Sequence, residues 1–188
     1  SQVDVNILGH IFEHSLNEIE SINAEIEGTS FDKQKTKRKK DGVFYTPKYI
    51  TKYIVDNTIG KLCTQKKQEI GITDEEYAKG RKNRHETTIK KLDQQLKDYR
   101  DWLLEITICD PACGSGAFLL ELFQLLNDIV IDYYLKNDTS KLIQTNIDTY
   151  KLSFETKREI LLNCVFGIDK DYNAVEASKF GLLLKLLE

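Results

Sequence analysis

At 188 residues with 40% apolar and 30% charged side chains, the chain can form one domain of ordinary size with a smaller attachment, and its composition is that of a folded globular protein rather than a disordered one. A formal net charge of −3 gives no overall basic footprint for nucleic acid, no apolar run approaches the roughly 20 residues of a bilayer span, and no signal peptide opens the chain. Four scattered cysteines, Cys63, Cys109, Cys113 and Cys164, exclude a secreted disulfide framework and point to a reducing cytoplasm.

Apolar residues recur at helical spacing from Val5 to Ile26, namely Leu8, Phe12, Leu16, Ile19, Ile22 (or Asn23) and Ile26, and Gly28 ends the pattern. Lys33, Lys35, Lys37, Arg38, Lys39 and Lys40 then crowd a short loop, a solvated basic segment or a phosphate-facing one. An extended piece reaches Tyr45. Pro47 suits the first turn of the next helix with Thr46 as its cap, Ile50, Ile54 (or Tyr53) and Thr58 inward, and Gly60 near its stop.

Residues 61–104 are charged and mostly helical in pattern, and Ile89, Leu92, Leu96, Tyr99 and Leu103 form the seam of a helix packed on another helix. "EITICD" reads as a short buried parallel strand, followed by a helix from Gly116 to Leu135. A polar connector, the helical "SFETKREILLN", a second strand "CVFGID" and a second helix "DYNAVEASKFGLLLKLLE" complete the chain. Strand–helix–strand–helix predicts an α/β fold, a partial doubly wound parallel sheet with right-handed crossovers, preceded by a helical N-terminal region. The expected parts are residues 1–41 (helix and basic loop), 42–60 (closing motif and helix), 61–104 (charged helical insert) and 105–188 (partial core). With no methionine anywhere and a final helix that stops without a capping signal, the chain reads as a piece of a longer protein.

The turn "DPACGSG", Asp110–Gly116, lies where open α/β sheets bind ligands, beyond a strand's C-terminal end. Gly114 and Gly116 let backbone approach a ligand, and the next helix offers free N–H groups to an anion. A phosphate loop needs Lys and then Ser or Thr after its glycines, whereas Ala117 and Phe118 follow here, and the third glycine of a dinucleotide fingerprint is replaced by Leu119. The anion is therefore a carboxylate. Asp169, at the end of the second strand, can accept from both hydroxyls of a ribose. A ligand with a carboxylate and a ribose spanning two strand ends points to S-adenosyl-L-methionine. The competing structural account is a tight packing turn with Asp169 as a helix cap.

"DPACGSGAFL" resembles the cofactor-binding motif of amino-group DNA methyltransferases, "VFGIDKDYNAVEASK" their ribose-binding segment, and "GVFYTP" the motif that closes over the methionine part. That order is similar to the N6-adenine branch, and "LGHIFEHSL" with the basic loop is similar to the N-terminal part of type IIG restriction–modification and phage-defence methyltransferases. The resemblance implies a Rossmann-like core in which Asp110, Ala112, Gly114 and Gly116 form the turn at the methionine amino and carboxylate groups. It further implies that Phe44, Tyr45 and Thr46 cover that end, that Asp169 holds the ribose, and that Ile168 or Lys170 flanks the adenine. Double-stranded DNA is the implied partner, met through the full-length protein with the 33–40 loop as a phosphate contact, and a nuclease or specificity domain is expected in the parent chain.

The Gly116–Asp169 separation exceeds the roughly 20 residues of a minimal unit and implies an enlarged crossover. The family's catalytic (Asn/Asp)-Pro-Pro-(Tyr/Phe) motif is absent, since Pro47 and Pro111 are the only prolines. No catalytic residue is therefore assigned, and the isolated chain is expected to be inert. His10 and His14 in "HIFEH" match an inverted zinc-protease pattern, but a surface or packed histidine pair is the preferred reading and no metal is assigned. Cys109 and Cys113 read as small buried packing residues. The alternatives are a protein or RNA methyltransferase core, or a non-catalytic helical interaction or DNA-clamp subunit.

Overall fold

Helix α1 spans Val5–Ile26, in a computed structural model that describes residues 5–30 and 46–188. Gly28 N–H bonds the Glu25 carbonyl at 3.3 Å and Thr29 N–H the Ala24 carbonyl at 2.8 Å, satisfying carbonyls that a helix end leaves open. The predicted apolar stripe is not inward along its length: Ile19, Ile22 and Ile26 are exposed, as are Ile7 and Ile11. Spacing identifies an apolar face but does not supply the surface that covers it. The 33–40 loop, Phe44 and Tyr45 lie outside the described residues.

The chain divides into two units, residues 1–52, 109–121 and 167–188 in the first and 53–108 and 122–166 in the second. In the first, α1 packs along α8 (Tyr172–Leu187). Strand β1 (Ile108–Asp110) pairs with β4 (Val165–Gly167). Beyond the strand ends, Ile168 donates to the Asp110 carbonyl at 2.9 Å and accepts from Cys113 N–H at 3.0 Å, the forward-stepping bonds of parallel neighbours. This is the expected α/β pair, in shorter strands. One correction concerns Cys109, which is exposed while Cys113 is buried. Alternate strand residues face opposite sides, and β1 is only partly covered.

The helix entered at Pro47, whose carbonyl accepts from Ile50 and Thr51 N–H, begins as α2 (Lys48–Val55). It widens into a π turn at Asp56–Gly60 and continues as α3 (Lys61–Ile70). Gly60 is therefore no stop: its backbone is right-handed helical, and Thr64 Oγ1 donates to its carbonyl at 2.9 Å. Thr51 and Val55 are the buried positions, whereas Tyr53 and Ile54 are exposed, a shift of one residue from the predicted face.

In the second unit, α5 (Glu86–Glu105) follows the short α4 (Asp74–Ala78) and packs on α3 and on α7 (Phe154–Cys164). Its predicted seam is realised with Leu96, Tyr99 and Leu103 buried. Gln95 Nε2 donates to the Ile70 carbonyl at 2.7 Å, and Lys67 Nζ meets Asp132 at 2.9 Å. The segment expected to be a polar connector is a hairpin, β2 (Leu142–Asn146) antiparallel to β3 (Thr149–Leu152), with buried Leu142 opposite buried Leu152. Ser153 Oγ accepts from Thr156 N–H at 3.2 Å to start α7. Phe123, Leu126 and Val130 on α6 (Ala117–Asn137) and Ile160 on α7 are fully buried. Each such side chain contributes about 1.5–3 kcal/mol of burial.

Candidate cofactor site

Asp110 ends β1 and turns back on itself: its Oδ1 accepts from Ala112 N–H at 3.0 Å, the local bond by which aspartate starts a turn. The chain then takes two left-handed steps, Gly114 at φ 52° and Gly116 at φ 88°, which a side chain at either position would strain. Gly116 N–H bonds the Cys113 carbonyl at 2.8 Å, and the Gly116 carbonyl receives Leu120 N–H at 2.9 Å to open α6.

Asp169 stands beyond the end of β4 and bridges two turns. Its Oδ2 accepts from Gly114 N–H at 2.9 Å and its Oδ1 from Asp171 N–H at 2.8 Å. Asp171, not Asp169, caps α8, taking Asn173 N–H at 2.9 Å. Both Asp169 oxygens keep a second lone pair for another donor. Burial pushes the Cys113 thiol up, and the neighbouring Asp110 and Asp169 carboxylates push it further, so it stays protonated at neutral pH and is no nucleophile.

The structure thus gathers Asp110, Ala112, Gly114 and Asp169 at adjacent strand ends. Asp110, Gly114 and Asp169 are half-buried and Ala112 is exposed, and exposed Ile168 and Lys170 stand on either side of Asp169 in the chain. Gly116 is buried, and a Cβ there would lie 2.4 Å from Ser178 Oγ, so it brings α8 close to the turn. Thr46 is half-buried just before α2. Of the "HIFEH" pattern on α1, the His10 and Glu13 side chains lie outside those described, and no three metal-ligating side chains gather among the described residues.

Sequence reasoning missed Ser115 and Ser178, both buried, and Gly167, whose absent side chain leaves room for Leu119 and Cys113. Asp171 was legible as an N-cap immediately before a helix, whereas nothing singled out Ser178. The second unit holds a separate open cavity of ≈ 620 Å³, lined by Arg100, Tyr133, Tyr134 and Glu159 among others, and no motif residue reaches it.

Residues 83–186 match the family described as MmeI, DNA-methyltransferase domain. The chain belongs to that family. It is therefore part of a Rossmann-like methyltransferase core preceded by helices, and S-adenosyl-L-methionine is the cofactor this membership implies. The chain is 42% identical over 183 residues, 97% of its length, to the type II restriction enzyme and methyltransferase RM.Eco57I of Escherichia coli, and spans 15% of that protein. It is 33% identical over its whole length to the putative type II restriction enzyme and methyltransferase RM.MjaORFECS2P of Methanocaldococcus jannaschii, of which it spans 14%. It is 28% identical over 74% of its length to the adenine-specific methyltransferase BrxX of Escherichia coli, of which it spans 10%. No solved structure matches. Among the described residues no helix is long and apolar enough to cross a membrane.

Proposed function

We propose that this chain holds the methyl donor of a site-specific DNA adenine-N6 methyltransferase of the restriction–modification or phage-defence kind. The observation that carries the reading is the bond from Gly114 N–H to Asp169 Oδ2 at 2.9 Å, which joins the two motif turns into one edge across adjacent strand ends. The groups there fit the cofactor. The Asp110 carboxylate would offer an acceptor to the amino group, and the backbone at Ala112 and Gly114 is assigned to the carboxylate end. Asp169 has lone pairs left for the ribose hydroxyls, and exposed Ile168 gives the adenine an apolar neighbour.

When bound, the cofactor supplies an electrophilic sulfonium methyl. The work of these residues is to bind and orient it, and most acceleration comes from such positioning. Phe44, Tyr45 and Thr46 are assigned to closing over the methionine end, Lys170 to the adenine's other side, and the 33–40 loop to a DNA phosphate. The residues that grip the target base, together with any nuclease or specificity domain, belong to the rest of a longer protein. Kinship with restriction enzymes of which the chain spans 15% and 14% supports DNA as the substrate. Titration calorimetry of the full-length protein with S-adenosyl-L-methionine tests the cofactor assignment. Binding that Asp169→Ala and Asp110→Ala each weaken at least about tenfold, or 1.4 kcal/mol, is expected; absent binding, or binding indifferent to both changes, refutes it.

A further inference from the structure

Gly9 sits inside the 22-residue α1, where glycine is a poor choice: in a helix interior it costs about 0.5–1 kcal/mol relative to alanine. The structure supplies a reason. A Cβ built on Gly9 would lie 2.8 Å from Ser115 Oγ and 3.4 Å from Ser115 Cβ. The first distance is shorter than real side chains tolerate, and Ser115 is only 4% exposed, so it has little room to yield.

Ser115 stands between the two left-handed glycines of the turn. On the other flank of that turn, a Cβ on Gly116 would meet Ser178 on α8 at 2.4 Å for Oγ and 3.2 Å for Cα. Two helices that pack on each other, α1 and α8, therefore both come close to the turn. The residue immediately before Ser115 is Gly114, whose N–H reaches Asp169. Only the Gly114 residue itself separates Ser115 from that N–H.

We infer that Gly9 is a positioning residue for the methyl donor: α1 is part of the cofactor site, and its close seat on Ser115 sets where the Gly114 backbone and Asp169 meet the ligand. The inference rests on the cofactor reading above. It separates from a role in helix stability by sign, because alanine is the better helix former. If Gly9 mattered only to α1, Gly9→Ala would leave affinity alone and raise the melting temperature.

The test is a cycle of Gly9→Ala, Ser115→Ala and the double variant in the full-length protein, read by calorimetry with S-adenosyl-L-methionine and by thermal melting. Gly9→Ala is expected to weaken binding by about tenfold, the scale of a misfit in a packed site. Ser115→Ala removes the atom in the way, so whatever it costs by itself, the loss that Gly9→Ala causes is expected to shrink to a small fraction when measured in the Ser115→Ala background. Amide hydrogen exchange at Gly114 without cofactor should rise in Gly9→Ala and fall back in the double variant. Unchanged affinity in Gly9→Ala, or a loss that Ser115→Ala does not rescue, overturns the inference while leaving the cofactor reading intact. A wild-type protein that does not bind the cofactor overturns both.

Discussion

Replacing Gly116 with alanine attacks the turn at its tightest point. The added Cβ would stand 2.4 Å from Ser178 Oγ, 3.0 Å from its Cβ and 3.2 Å from its Cα, on a residue at φ +88°. Holding an L-residue in left-handed backbone costs roughly 1–2 kcal/mol, and overfilling a packed site adds about 1–3 kcal/mol. Alanine also stiffens the unfolded chain, which returns about 0.4–1 kcal/mol. The net destabilisation is about 2–4 kcal/mol, and at some 2–4 °C per kcal/mol for a chain of this size the melting midpoint falls by roughly 5–15 °C. Thermal and urea melts followed by circular dichroism measure it. In the double variant with Ser178→Gly, the contacts with Oγ and Cβ vanish while the backbone strain and the approach to Cα remain. About half the loss should return once the separate cost of a helix glycine in Ser178→Gly is subtracted. A net loss below about 1 kcal/mol, or a double variant no better than the sum of its parts, would refute the packing argument.

Burial pushes the Asp132 carboxyl up, but hydrogen bonds from Lys136 and Lys67 outweigh it and hold its pKa below the ordinary value. Its stabilising contribution is therefore present above the unfolded value near 3.9 and lost as pH falls through the lower folded one. Asp132→Asn should cost about 1 kcal/mol at pH 7, discounted because the side chain is partly exposed, and progressively less as the pH falls below the unfolded value near 3.9; a gap in urea melts that does not shrink in acid would contradict this. Alkylation of the native protein at pH 8 followed by mass spectrometry should mark Cys109 first. Cys63, Cys113 and Cys164 are buried, and Cys164 is pushed up to about 11 by burial and by Glu159; Cys113 reacting as fast as Cys109 would mean the turn is not packed. If Asp169 holds the ribose, a 2′-deoxy analogue of the cofactor should bind wild type about tenfold more weakly but lose little further affinity in Asp169→Ala; an equal loss in both proteins would leave Asp169 a purely structural bridge.

Much of the site could be read from residue order because its parts are local. The strand ending in Asp110, the glycines that need left-handed backbone, and an acid just beyond the next strand are each decided within a few residues. The second unit's seam was legible for a similar reason, since Leu96, Tyr99 and Leu103 repeat at helical spacing and are buried. What stayed hidden depends on partners distant in sequence. Gly60 resembles a helix stop, yet the backbone widens into a π turn and continues. Leu142 and Leu152 look like isolated apolar residues in polar sequence until the antiparallel register sets them opposite each other. Ser115, Ser178 and Gly9 lie inside the quoted motifs, yet nothing in the sequence singles them out, because what marks them is how closely two segments approach. Phe44, Tyr45 and the 33–40 loop keep the roles assigned from sequence, as proposals.

The long separation between the two motifs, which implied an enlarged crossover, is bridged in the structure. Gly114 and Asp169 are 55 residues apart, yet one backbone N–H to carboxylate bond of 2.9 Å joins them. The intervening chain forms α6, the β2–β3 hairpin, α7 and β4. A parallel pair fixes which ends lie side by side, and the bonds from Ile168 to Asp110 and from Cys113 to Ile168 set that register locally. The crossover can therefore grow without moving the site, provided that β4 returns to the same place beside β1. Gly167 meets that condition by leaving the space that Leu119 and Cys113 occupy. The spacing between the motifs is thus a property of the crossover, and the cofactor site we propose draws on three short segments, 110–116, 167–171 and the part of α1 around Gly9.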